Sequence, residues 1–368
     1  MTSKLFTPLA IGTLELENRI TIAPMCQYSA IDGSMTDWHL MHLGSLALSG
    51  ASMLVIEATG VAPEGRITPQ CTGLYSDANE AAMARAVKFV RGISPIHLGI
   101  QLAHAGRKAS AHRPWDGRGA LGAGHPQAWQ TMAPSALALG EGWPAPRALD
   151  RAGMDAVREA FVQAAQRAAH LELDFVEVHS THGYLLSEFL SPLANRRDDA
   201  YGGALENRMR FPLEVVRAVR AAWAKPLGAK ISGSDFAPGG WTTDDAVVYA
   251  RELKKLGCDY VTVSGGGVVL DARVPVAPGY QVPFAERVKR ESGIVTGAVG
   301  LISDPQQAEE IVASGKADFV SLARAMLFDP RWPQHAAVTL GAQAKYPPQY
   351  ERCAPKAWPP GARLGKVA

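Results

Sequence analysis

Cysteine is scarce: 368 residues carry four, Cys26, Cys71, Cys258 and Cys353, widely separated and with no paired spacing. That excludes a zinc or iron–sulfur framework legible in the sequence, so no metal site is expected, and reduced thiols fit a cytoplasmic protein. A surplus of one charge is lacking too. Lys and Arg total 37 against 35 Asp and Glu, a net charge of +2, which argues against a nucleic-acid partner. Basic residues near the end, Arg352, Lys356, Arg363 and Lys366, read as a solvated tail. No apolar run is long enough to span a bilayer, and no charged stretch leading into an apolar one opens the chain; no membrane partner is expected and the protein reads as soluble and intracellular. Also missing is a Gly-x-Gly-x-x-Gly turn after the first convincing strand, which tells against a doubly wound open sheet.

What is present is an alternation. A hydrophobic share of 47% with 20% charged residues suits a globular enzyme. Apolar, β-branched runs of strand length at 20–25, 53–58, 98–102, 175–179, 227–232, 260–264, 295–299 and 319–323 are separated by helical patterns. Those helical patterns fall at 39–48, 79–90, 154–171, 210–222, 244–256, 283–291 and 305–313. Strands apolar on both faces imply a parallel sheet, and eight of them predict a closed (β/α)8 TIM barrel in one domain spanning 1–368. Leu5 to Asn18, with a turn at Gly12-Thr13, reads as a hairpin plugging one end. Residues 109–150, after the third strand, form a long segment rich in Gly, Pro, Ala and Trp, the composition of a lid.

In such a barrel the C-terminal strand ends converge on one mouth, where active sites lie. The residues there are Met25-Cys26, Ala58, Gln101 with His104, His179, Lys230, Ser264-Gly265-Gly266-Gly267, Gly300 and Ala323-Arg324. Thiol, amide, imidazole and ammonium groups among small residues suit a flat polar ring system. The glycines after strands six and seven, grouped with Arg324 after strand eight, suit a phosphate. The densest cluster is His179-Ser180-Thr181-His182-Gly183-Tyr184, at a strand exit on a loop too polar to be core; two imidazoles and a phenol there point to chemistry.

The run His179-x-x-His182-Gly183-Tyr184-Leu185, then Phe189-Leu190-Ser191-Pro192, Tyr201-Gly202-Gly203 and Glu206-Asn207-Arg208, resembles the old yellow enzyme family of FMN-dependent ene-reductases. The likeness is greatest to the thermophilic-like branch that includes xenobiotic reductases, and it runs from Leu5 to about Arg352. The resemblance implies non-covalent FMN, NADPH or NADH as reductant, and small-molecule alkenes activated by a carbonyl or nitro group (enones, enals, maleimides, nitroalkenes) as substrates. It places Pro24, Met25, Ala58 and Gln101 at the flavin ring, Lys230 at flavin N1 and the C2 carbonyl, and Gly300, Ala323 and Arg324 at the phosphate. It makes His179 and His182 the pair that binds the substrate oxygen, Tyr184 the proton source, Cys26 the redox-tuning cysteine and Tyr28 a substrate-side residue. Gln349-Tyr350-Glu351-Arg352 resembles the branch's C-terminal motif, whose arginine reaches a neighbouring subunit; residues 345–368 would then join the interface of a homodimer or dimer-based tetramer. Two departures stand out: Lys230 replaces the family arginine, and Ala323 a frequent glycine. Lysine keeps the charge but loses the planar fork. Other readings are an FMN-dependent ketone dehydrogenase or desaturase on this scaffold, a flavin-free barrel lyase using Lys230 as Schiff-base nucleophile, and a flavin-holding scaffold without turnover.

Overall fold

The computed structural model describes residues 3–361. An antiparallel hairpin, β1 (Leu9–Ile11) and β2 (Leu14–Leu16), opens the chain and turns at Gly12, whose φ of 57° favours glycine. Eight parallel strands then close a barrel. In barrel order they are β3 (Ile20–Ile22), β4 (Met53–Gly60), β5 (His97–Ala103), β8 (Phe175–Ser180), β9 (Leu227–Ser232), β10 (Tyr260–Ser264), β11 (Val295–Ala298) and β12 (Phe319–Leu322), which pairs back onto β3. The strands between, β6 (Met132–Ala133) and β7 (Arg147–Ala148), pair only with each other, inside the long segment after β5.

The helices are α1 (Asp37–Ala47), α2 (Asp77–Ile93), α3 (Arg151–His170), α4 (Leu185–Leu190), α5 (Leu205–Ala222), α6 (Thr243–Lys255), α7 (Val282–Ser292), α8 (Pro305–Ala313), α9 (Arg324–Phe328) and α10 (Trp332–Thr339). Their starts follow local chemistry. Ser76, Asp150 and Asp304 accept the N–H groups of Asn79, Gly153 and Gln307, and Thr242 forms a reciprocal box with Asp245. α5 starts five residues before the predicted Arg210 and runs through Pro212, which is buried with Phe211 and Val215. Packing there outweighs the hydrogen bond that proline forgoes. Periodicity also does not reveal α4, α9 and α10, each eight residues or shorter and too brief to display a helical period.

The barrel interior is filled in layers. At its N-terminal end Phe175, Tyr260 and Phe319 stand on alternate strands and press onto Gly99, Gly228 and Gly297, their partners in register. A Cβ at any of those glycines would lie 2.1–2.3 Å from a ring carbon. Ile11, Leu14 and Leu16 of the hairpin join Met53 and Val55 beneath the rings. The predicted plug is there, and it forces the functional groups to the opposite mouth.

Candidate active site

Above the aromatic layer the interior turns polar. Glu177 accepts Gln101 Nε2 at 2.7 Å and Thr262 Oγ1 at 3.1 Å. Burial raises its carboxyl while neighbouring Lys230 opposes that rise. Lys230 is in register with His179 on one side and Thr262 on the other. It is buried, and desolvation lowers its ammonium against the pull of Glu177. No hydrogen bond or close ion pair to Lys230 occurs among the described residues, so this buried donor turns to the cavity it lines.

That cavity, about 520 Å³, is walled by Pro24, His182, Lys230, Ser264, Gly265, Gln281, Gly300, Ala323 and Arg324 among others, a size typical of small-molecule sites. Gly300 and Leu301 take left-handed φ values of 112° and 53°, so backbone forms the wall at the exit of β11. Arg324 is exposed at the rim and meets no carboxylate among the described residues. Gln281 Oε1, buried in the wall, has no hydrogen-bond partner. A buried cation and a free guanidinium around one cavity fit a planar, acceptor-rich group ending in a phosphate, while the unpartnered Gln281 oxygen suits a donor on that group.

Next to the cavity the imidazoles of His179 and His182 meet edge to face at 5.3 Å, and His179 and Tyr184 at 5.0 Å. His179 Nδ1 accepts the N–H of Thr181 at 3.4 Å, which leaves the proton on Nε2. His182 Nε2 lies 2.8 Å from Ser264 Oγ. Burial pushes both rings' pKa well below the ordinary histidine range, with the charges of Lys230 and Lys108 adding to it. Both are therefore neutral near pH 7. Burial, with Cys26, Tyr28 and Cys71 close by, raises the Tyr184 phenol well above its ordinary range, so it keeps its proton.

His182 itself adopts φ 63°, rare for a side-chain-bearing residue. Lys108 holds it there: Nζ donates to the carbonyls of His182 at 2.6 Å and Gly267 at 3.0 Å and sits 4.9 Å from the Tyr184 ring centroid. Gly183, at φ 71°, has no room for a Cβ, which would fall 2.0 Å from the Gly267 carbonyl oxygen. The role of Lys108 is not evident from the sequence. Its one signal is the basic pair Arg107-Lys108 among small residues just past a strand exit.

The other predicted positions divide. Met25, Cys26 and Tyr28 are half-buried on the loop after β3. Gln27 N, between them, donates to buried Glu57 at 2.9 Å. Tyr28 has φ 50° and meets Trp115 edge-on at 5.8 Å, which brings the long segment after β5 against the loop after β3. Ala58 is buried beside Cys26 and donates its backbone N–H to that sulfur, which works to lower the thiol against burial. Gln101 is buried under the cavity rather than in its wall, tied to Glu177. His104 faces away: it caps its own turn through Gly106 N at 3.1 Å, and burial lowers it to about 4. Arg352 is exposed on a surface 3-10 turn, Pro348–Cys353, and is not among the cavity-lining residues of its own chain. Arg363 and Lys366 lie outside the described residues.

Residues 4–343 match the family described as NADH:flavin oxidoreductase / NADH oxidase. This chain belongs to that family. An NADPH dehydrogenase of Geobacillus thermodenitrificans is 43% identical over 96% of this chain and 99% of its own, and one of Bacillus subtilis is 39% identical over the same shares. Morphinone reductase in complex with tetrahydroNAD aligns at TM-score 0.74 with 28% identity, covering 94% of this chain and 93% of that one. A 2-naphthoyl-CoA reductase complex shares the fold at TM-score 0.82 and 21% identity; this chain spans about half of that longer protein, 52%. As a member of the family, the protein is an FMN- and NAD(P)H-dependent oxidoreductase. Membership sets aside both the flavin-free lyase and the scaffold without turnover. No helix among the described residues is long and apolar enough to cross a membrane.

Proposed function

We propose that this oxidoreductase reduces carbon–carbon double bonds activated by a carbonyl or nitro group, and that His179, His182 and Tyr184 perform the protein's part of the reaction. The observation that carries this is the cluster of two neutral imidazoles and a protonated phenol, edge to face, beside the cavity that Lys230 lines.

Pro24, Met25, Ala58, Gln101 and Lys230 are assigned to the flavin ring, and Gly300, Ala323 and Arg324 to its phosphate. FMN, when bound, supplies hydride taken from NADPH or NADH. His179 Nε2–H and the His182 ring donate hydrogen bonds to the substrate's carbonyl or nitro oxygen. Negative charge grows on that oxygen as hydride reaches the β-carbon, so donors fixed beforehand stabilise the transition state more than the ground state. Each neutral ring still carries one N–H, so each retains a donor for that oxygen. Tyr184 gives its hydroxyl proton to the α-carbon. Lys108 keeps the three groups in register through the carbonyls of His182 and Gly267. Cys26 and Tyr28 border the mouth on the substrate side, with Cys26 tuning the flavin potential.

The test is anaerobic turnover with NADPH or NADH and a panel of enones, maleimides and nitroalkenes, with the two half-reactions followed separately. His179→Ala or His182→Ala is expected to slow alkene reduction by roughly 10²–10³-fold, the usual cost of a lost oxyanion donor, and to slow flavin reduction by NAD(P)H much less. Equal losses in both half-reactions would overturn the assignment.

A further inference from the structure

The loop after β3 carries Pro24, which lines the cavity, and Met25, assigned with it to the flavin ring. Hydrogen bonds hold that loop from two sides. From the barrel, Glu57 of β4 accepts the N–H of Gln27 on Oε2 at 2.9 Å. From the start of α1, Trp38 Nε1 donates to Gln27 Oε1 at 3.0 Å, and Thr36 Oγ1 donates to the carbonyl of Ser29, also at 3.0 Å. The Gln27 side chain closes the set, its Nε2 donating to the Met25 carbonyl at 2.9 Å.

Beneath the loop His39 of α1 and Glu57 face each other, Nε2 to Oε1 at 3.3 Å, and both residues are buried. His39 Nδ1 accepts the N–H of Thr36 at 3.0 Å, so the ring proton lies on Nε2, toward the carboxyl. The contact is bent and longer than an ideal hydrogen bond, yet neither atom has any other partner among the described residues. Around them stand Met35, Leu43, Leu46 and Ile56, with His42, whose ring burial lowers to about 4 and leaves neutral. Two buried polar groups without alternatives fix each other, because separating them leaves both unsatisfied.

We propose that His39 and Glu57 are positioning residues for the flavin-side loop: His39 fixes the Glu57 carboxyl, and Glu57 fixes Gln27 and through it the Met25 carbonyl. The inference rests on the placement of Pro24 and Met25 at the flavin ring. Two carboxyl oxygens serve two donors, the His39 ring and the N–H of Gln27, so the pair works as a unit. An amide at position 57 has one acceptor oxygen for the same two donors and must give one of them up. Without the His39 ring the carboxyl keeps Gln27 N alone and is free to turn. Neither residue lines the cavity, so both act on the site through the loop they brace. A pair that served stability alone would loosen the whole barrel when broken; a positioning pair loosens the loop and the cofactor it holds.

The experiment compares the FMN holoenzyme with its Glu57→Gln and His39→Leu variants. Hydrogen exchange read by mass spectrometry follows the amides of residues 25–29, and FMN fluorescence on serial dilution gives the dissociation constant. The expected result is faster exchange confined to the loop after β3, with FMN bound about tenfold more weakly, the effect of one buried donor or acceptor left unsatisfied. His39→Gln, which keeps an N–H for Glu57, is expected to restore most of the protection and affinity lost in His39→Leu. That comparison decides the matter even if Glu57→Gln folds poorly. Unchanged exchange over residues 25–29 overturns the proposal, as does exchange that rises equally throughout the barrel. A loosened loop with the parent's FMN affinity overturns it as well. None of these readouts involves an alkene, so they succeed or fail independently of the double-bond reading.

Discussion

Lys230 and Lys108 are two buried cations with different work. Lys230 faces the cavity without a hydrogen-bonding partner, above the carboxyl of Glu177, where a positive charge favours electron-rich flavin. Lys230→Met, similar in length but uncharged, is expected to retain FMN, lower the flavin midpoint potential and slow reduction by NAD(P)H; spectroelectrochemistry and stopped-flow absorbance check this. Lys230→Arg restores charge with two donors and keeps activity within about tenfold of the parent; an unchanged potential in the Met variant would refute the role. Lys108 clamps carbonyls, and desolvation brings its ammonium down to about 8. Below that pH the clamp is charged and holds His182; above it the proton is lost and the grip weakens. Alkene reduction is therefore expected to fall as pH rises through about 8. Lys108→Met should lose that alkaline limb and run about tenfold slower at neutral pH, since small misplacements of catalytic groups cost rate steeply. A pH profile of the alkene half-reaction reads both effects.

At the scale of elements, α4 is the short helix that follows Tyr184, and Glu188 on it is fully buried. Its Oε1 accepts the N–H of Arg107 at 2.9 Å, while Oε2 has no partner. Burial raises the carboxyl to about 8 although Arg107 and Lys108 pull it down. The sign follows from proton counting. Between the unfolded value near 4.5 and about 8 the folded chain holds a proton that the unfolded chain has released, so stability falls as pH rises through that window. The slope is at most ~1.4 kcal/mol per pH unit. Glu188→Gln keeps the acceptor for Arg107 and removes the titration. Its melting temperature is expected to match the parent near pH 5 and exceed it above pH 8, as scanning calorimetry across that range reads.

For the whole molecule, we propose that the C-terminal stretch joins the interface of a homodimer or dimer-based tetramer. Lys345 reaches Glu17 near the hairpin at 2.5 Å, and Arg331 lies 5.2 Å from the Tyr350 ring centroid. The segment is thus fastened to the barrel up to the turn that carries Arg352. Arg352 projects from the surface, and in our reading it completes the site of a second copy. Ending the chain before Gln349 is expected to raise KM for alkenes and to shift the species in sedimentation toward monomer, both together. Full activity in a truncated monomer would show that each barrel suffices alone.

Alternating apolar runs sufficed to define the barrel, because a strand buried on both faces and a helix buried on one leave different periods in the chain. Lys230, Ser264, Gly265, Gly300, Ala323 and Arg324, from separate strand ends, line one cavity because closure carries strand exits to one mouth, whereas Gln101 and His104 are tied up beneath and beside it. His179, His182 and Tyr184 were legible because they are close in sequence and sit on a single exit. Two kinds of feature were decided only by the tertiary structure. Short helices such as α4 lack the length to show a period. The roles of Lys108 and Glu177 depend on partners 74 or more residues away. Spacing along the chain records local geometry, whereas contact between distant side chains, and the acidities it sets, exists only once the barrel has closed.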